Sequence, residues 1–334
     1  AWQSKLTVLK MFVVTLAVLA SFCVSVASAY KGYVPFNEPI TQVVTSRRPH
    51  EYLRADDLPK NFDWRLVNGT SYGSNVLTQQ NPRVCGSCWA EAATGALSDR
   101  YFIATEGKLR VGLAVQQLLN FKEKITGGSC NGGDSLKAYD FIHKYKISDD
   151  TCAPFEGVNS PRGFTVRDMV DVEEVAAHQC YVCMWDGTCT FVKRNSYNLY
   201  GADEFGSVTG EEQMKAEIFA RGPIACSINS DVPAFNAYSG GIINCKQGKV
   251  CKVDDTDHVI VIAGWGVDAA TGTKYWVGRN SYGTQWGEGA GGGWFRLERG
   301  ANALALESHE CHWAVPAAAD VQRALDQFDA SLAV

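Results

Sequence analysis

Twelve cysteines in 334 residues constrain this chain more than any other feature. Reduced intracellular chains rarely carry so many, so the count points to a disulfide framework built in an oxidising compartment. The N-terminus agrees. From Met11 to Ala29 the run MFVVTLAVLASFCVSVASA carries no charge, Lys5 and Lys10 precede it, and Ala27-Ser28-Ala29 closes it with small residues. This is the layout of a secretory signal peptide over residues 1–29, cleaved before Tyr30. The alternative is a signal anchor, because the run approaches the length of a bilayer span. Cleavage removes Cys23 and leaves eleven cysteines. That odd number implies one free thiol or one bridge to another chain.

With 46% apolar and 20% charged residues the chain can build a sizeable core, and a net charge of −5 argues against nucleic acid or an anionic membrane as its main partner. Residues 30–57 (YKGYVPFNEPITQVVTSRRPHEYLRADD) have no helical period and read as a polar connector, with Arg47-Arg48 a weak processing signal. From Leu58 the texture becomes globular. The segment starting at Ser87 spaces Trp89, Ala93, Ala96, Leu97 and Ile103 helically, with Ser87 a fitting N-cap. Beyond residue 195 short apolar runs such as HVIVIAGW and KYWVG alternate with glycine-rich turns and read as strands. The expected organisation is a helical part over 67–195, a β part over 196–316, and an extension over 317–334. In that extension Val321, Leu325, Phe328 and Leu332 share one face of a short helix.

Cys88 stands out as the free thiol. It lies in CGSCW after a Gly-Ser turn, at a predicted helix start where backbone N–H groups and the helix dipole favour a thiolate. A thiolate nucleophile needs a base. Of six histidines, His50, His143, His178, His309 and His312 sit in polar contexts without a partner pattern, whereas His258 opens the apolar run DHVIVIAGWG. Asn280, 22 residues on, can orient its imidazole, and Gln79 can donate to an oxyanion beside the Cys88 amide. Two competing readings are weaker. A redox C-x-x-C at Cys85–Cys88 would need no His or Asn partner, and Cys180, Cys183 and Cys189 with His178 could hold zinc, although disulfides are favoured in a secreted chain.

CGSCW, a histidine opening a strand before GWG, and NSYGTQWG, in this order, resemble the papain family of cysteine proteases over residues 58–316. Within it the chain is most similar to the cathepsin X (cathepsin Z) group, through RPHEYLRADDLPKNFDWR, QQNPRVC, MKAEIFARGPIAC and YSGGI. The resemblance implies an α+β, papain-like two-domain fold with the active site in the cleft. Its chemistry is peptide hydrolysis through an acyl-enzyme, with no metal or cofactor. Cys88 is then the nucleophile, His258 the acid and base, Asn280 the orienting amide and Gln79 the oxyanion donor. Gly132, Gly133, Tyr282 and Trp286 contact the substrate, Tyr282 standing where the family usually has Trp. The implied bridges are Cys85–Cys130, Cys152–Cys180, Cys183–Cys189 and Cys226–Cys311; Cys245 and Cys251 have no counterpart and pair by elimination. Phe121 stands where one further bridge is expected, and its partner is missing too.

In that group a three-residue insertion, here Gln80-Asn81-Pro82, narrows the primed side and carries a histidine that binds the substrate's C-terminal carboxylate. Gln80 takes that position here. The resemblance therefore implies a carboxypeptidase, with an ordinary endopeptidase or a silent peptide-binding homologue as alternatives. It further implies a short propeptide over 30–57 and a lysosomal or extracellular monomer that meets peptide or protein substrates and protein inhibitors. Residues 30–57 lack the cysteine that covalently locks the group's propeptides, so any inhibition by them is noncovalent. Asn68-Gly69-Thr70 is the glycosylation sequon. The charged insertion over 153–179 has no reading.

Overall fold

The computed structural model describes residues 31–332 apart from 122, 160–170, 187 and 290. Residues 1–29, read from the sequence as a signal peptide, and residues 160–170 of the insertion lie outside the described residues. An antiparallel sheet is ordered Trp294–Glu298, Lys274–Arg279, His258–Val267, Ile224–Ile228, Cys311–Pro316, Ala202–Val208, and Phe62–Asp63 adds to the His258–Val267 strand. The uninterrupted apolar run from His258 is a strand buried on both faces, which removes any need for polar alternation. Gly264 in this strand has no room for a Cβ, because the Phe62 carbonyl occupies the space.

The other half is led by the helix Cys88–Ala104, with fifteen of its seventeen residues buried. It is not amphipathic. Two of its charged residues are paired inside: Arg100 meets Glu217 at 2.9 Å and the carbonyls of Pro223, Gly222 and Ala314, and Asp99 meets Arg279 at 3.0 Å. Ions so fully desolvated persist only with partners of this quality. Helix Ser135–Tyr145 packs beside it, N-capped by Asp134, whose carboxylate accepts from Leu136 N and Lys137 N. Phe121, at the site of the absent bridge, is fully buried and packs 5.5 Å from Phe141.

Five disulfides are present: Cys85–Cys130, Cys152–Cys180, Cys183–Cys189, Cys226–Cys311 and Cys245–Cys251. Among the described residues Cys88 is the free cysteine. Residues 32–46 run across the body and then cover an edge of the sheet. Val43 exchanges backbone hydrogen bonds with Phe205, Gln42 donates to Ser207, and Ser46 N donates to Glu204. That pairing hides an edge strand that would otherwise be exposed. The helix Ala318–Leu332 is tied down by Asp320, which is buried and bonded to Lys146, Arg323 and Gly201 N. Val321, Leu325 and Phe328 are half-buried, but Leu332, expected on the same face, is exposed because the last turn projects beyond the surface it packs on. Among the described residues no helix is long and apolar enough to cross a membrane.

Candidate active site

Two elements meet at Cys88. The Cys85–Cys130 bridge closes a 45-residue loop and anchors the approach to the helix, while Gly86 N donates to Cys130 O at 2.7 Å. Ser87 occupies the N-cap position but makes no side-chain cap. Its Oγ turns inward and donates to Glu91 Oε1 at 2.9 Å, since that carboxyl is buried and needs a donor. From the sheet side, His258 opens its strand opposite Ile228. The register pairing Val261 with Arg279 brings Asn280 beside that opening, and His258 Nε2 and Asn280 Oδ1 are 2.7 Å apart. Val259 N, next in the chain to His258, donates to Cys88 Sγ at 3.4 Å. The thiol, the imidazole and the amide thus come from three separate elements and converge at one place.

Gln79 is also here, held at both ends. Its Nε2 donates to Cys85 O at 3.2 Å and its Oε1 accepts from Ser281 Oγ at 2.8 Å. The Tyr282 ring lies 5.0 Å from the His258 ring and covers it, with Phe235 at 6.1 Å. Trp286 stacks in the same cluster, 5.1 Å from Phe235 and 5.8 Å from Tyr282. Gly132 and Gly133 form a short strand against Gly128 and Ser129. Gln80, next in the chain to Gln79, lies on the exposed loop from Gln80 to Val84. Asn68 is exposed in a turn, with φ of 50°.

The cleft is not open. Tyr33 N donates to Asp257 O at 2.8 Å, Val34 N donates to Gly133 O at 3.0 Å, and Gly133 N donates to Gly32 O at 3.2 Å. Gly32 lies directly against the Cys88 thiol, and a Cβ there would collide with Cys88 Sγ. Both backbone groups of Gly133 are therefore engaged by the chain's own N-terminal segment.

Burial under this segment sets the electrostatics. The Cys88 thiol is pushed up to about 12, chiefly by desolvation, with Glu91 and Asp257 adding to the rise and the N–H groups of Val259 and Trp89 opposing it. The helix start was expected to favour a thiolate; here loss of water outweighs those N–H groups. Burial also holds the His258 imidazole below its ordinary value, although Asn280 and Asp257 pull it up. Both shifts favour the neutral thiol and neutral imidazole while the segment is in place.

Three participants were not read from the sequence. Glu91 sits one turn after Cys88, and its i,i+4 spacing from Ser87 in an alanine-rich helix is the signal that could have found it. Asp257 accepts from Ser230 N at 2.7 Å and from Ser230 Oγ at 2.9 Å, bracing the residue before His258. The third is the Gly32–Val34 segment, whose placement no local pattern encodes.

A thiol, an imidazole and an amide in this arrangement define a site of the cysteine-peptidase kind. Residues 58–319 match the family described as "Papain family cysteine protease". The chain is 38% identical over 275 residues to cathepsin Z of Onchocerca volvulus, covering 80% of this chain and 81% of that protein. It is 31% identical over 264 residues to cathepsin B-like cysteine proteinase 6 of Caenorhabditis elegans, covering 75% of this chain and 65% of that one. Among solved structures it is similar to a ragweed pollen cysteine protease allergen in its proform, with TM-score 0.56, 25% identity and coverage of 77% and 65%. Digestive procathepsin L 3 of Tenebrio molitor larval midgut shares the fold, with TM-score 0.60, 22% identity and coverage of 86% and 77%. The chain belongs to the papain family of cysteine proteases, with its α+β fold.

Proposed function

We propose that the chain is a carboxypeptidase of cathepsin X type, held as a zymogen by residues 30–57. Cys88 attacks the scissile carbonyl, His258 takes the thiol proton and returns it to the leaving amine, and Asn280 orients the ring. Gln79 and the Cys88 N–H hold the oxyanion. The carboxypeptidase reading is carried by the neck of the Gln80–Val84 loop. Gln79 O accepts from Cys85 N at 2.9 Å and Gln79 Nε2 donates to Cys85 O, so five exposed residues form a closed loop pinned beside the clamped cysteine. In this proposal the tethered loop obstructs one end of the cleft and leaves room for a chain terminus. Gln80 offers that terminus two N–H donors but no charge.

Loss of a charge-assisted partner lowers recognition by about 1–2 kcal/mol, or roughly 5–30-fold. C-terminal amides should therefore be cleaved nearly as well as acids. The test is digestion of one defined peptide as free acid and as amide, with products read by mass spectrometry. Stepwise loss from the C-terminus supports the reading; predominantly internal cuts would make the enzyme an endopeptidase.

The noncovalent lock is supported by the Gly32–Val34 contacts, which occupy the thiol and the Gly133 edge without a bond to Cys88. The five disulfides fit an oxidising, lysosomal or extracellular setting. Asn68, exposed in its turn, is the proposed N-glycan site, to be checked by the mass change on glycosidase treatment.

A further inference from the structure

One turn along the helix from Cys88, between the Cys88–Ala104 helix and the sheet, lies a small recess of about 10 Å³ bordered by Glu91, Val259, Arg279, Asn280 and Ser281. That is about the space a single water needs. Glu91 Oε2, Asn280 Nδ2 and Arg279 Nη2 have no hydrogen-bond partner among the described residues. Arg279 Nη2 is 3.0 Å from Asp99 Oδ2 but is not aimed along a hydrogen bond to it. Glu91 and Asn280 are 3% and 2% exposed, so solvent does not satisfy them from outside. Buried polar atoms left without a partner are costly unless they share one.

We propose that Glu91 is a positioning residue for the thiol reaction, acting on Asn280 through one buried water in this space. The water accepts from Asn280 Nδ2 and Arg279 Nη2 and donates to Glu91 Oε2. Asn280 Oδ1 is then held toward His258, and its amide cannot flip. In the neutral carboxyl, Oε1–H donates to Ser87 Oγ; in the carboxylate, Ser87 Oγ–H donates to Oε1. Oε2 accepts from the water in both, so the water site survives titration and only the charge changes.

That charge is the second consequence. Burial raises the Glu91 carboxyl to about 8, offset only partly by Ser87. Above that value it becomes an anion one helical turn from Cys88 and opposes the thiolate. The groups facing it are few. Its own helix presents Cys88 and, a further two turns on, Asp99. The strand from His258 presents only Val259, Ile260 and Val261 to the space. The Lys274–Arg279 strand presents Arg279, whose charge Asp99 already balances. Asp257 and Tyr282 also act on the thiol electrostatically and remain unchanged in the variants below.

The test uses enzyme expressed as the full chain and processed to remove residues 30–57, with Glu91→Gln and Glu91→Leu beside it. Carbamidomethylation of Cys88 and peptide hydrolysis are followed from about pH 5 to pH 10, each curve scaled to its own acid plateau. Glu91→Gln should move the basic limb upward by about one pH unit, because the anion that opposes the thiolate is gone. Glu91→Leu, which removes the water's acceptor, should lower kcat on the order of tenfold with KM little changed. Superimposed scaled profiles for Glu91→Gln and the parent would overturn the proposal. So would full kcat in a folded Glu91→Leu enzyme; if that variant fails to fold, the near-isosteric Gln profile decides alone.

Discussion

On the helical side of the cleft, Cys88 is fixed by covalent and buried polar means: the Cys85–Cys130 bridge, the Ser87–Glu91 contact, and a helix whose Asp99 and Arg100 are ion-paired inside. On the sheet side, His258 and Asn280 are placed chiefly by strand register, Ile228 opposite one and the Val261–Arg279 pair beside the other. The sheet side carries its own staple one strand away, Cys226–Cys311. There, however, the register of paired strands already fixes the residues, since a one-residue slip would exchange every side chain between two packed faces. The helical side has no such registry, and a disulfide supplies the missing constraint. Side-chain orientation also differs. The thiol is aimed by its backbone, whereas the imidazole depends on one side-chain amide.

The largest effect expected from this contrast is chemical. Cys88→Ser should reduce turnover on the order of 10³-fold or more while leaving the thermal midpoint close to the parent's, since the change is nearly isosteric and lies at the proposed nucleophile. Comparable activity in the serine variant would contradict the role given to Cys88. Next, removing the clamp with the paired change Cys85→Ala and Cys130→Ala should cost about 4 kcal/mol on the loop-entropy estimate for a 45-residue loop, read by denaturant unfolding. An unchanged midpoint would mean that the helical side holds its own geometry.

Asn280→Ala should leave the fold intact and lower kcat on the order of 10- to 100-fold through a misplaced imidazole. A variant at parental kcat would show that strand register orients His258 without the amide. The smallest effect belongs to Tyr282→Trp. The Tyr282 hydroxyl contacts Ser230, whose N–H and hydroxyl both hold Asp257. Exchange for an indole should retain activity and displace the basic limb of the pH profile by less than about one unit. An unchanged limb would leave Tyr282 as a cover and nothing more.

Much of the site was legible because each participant sits in a distinctive local frame: Cys88 at a turn entering a helix, His258 at the head of an apolar strand, Asn280 between a strand and a glycine turn. The signals were short in range, and short-range physics produced them. Partnerships across the chain were not legible. Arg100 and Glu217 are 117 residues apart and Asp99 and Arg279 are 180 apart, so nothing local marks either as a buried pair. The same limit explains Ser87, whose preference for capping was overridden by a buried carboxyl. Leu332 fits the helical period, but periodicity does not say where the surface beneath the helix ends. The raised thiol depended on a segment more than fifty residues upstream lying over it.

Covalent capture tests most directly whether Cys88 is a nucleophile covered by the chain's own N-terminal segment. Intact mass should be measured after exposure to an epoxide inhibitor of cysteine proteases, on the full chain, on the full chain with reductant, and on enzyme cleaved to remove residues 30–57. The expected result is no adduct on the first two and one stoichiometric adduct, mapped to Cys88, on the third. A Cys88 adduct on the uncleaved chain with reductant alone would contradict the noncovalent cover, and its absence from the cleaved enzyme would contradict the nucleophile itself.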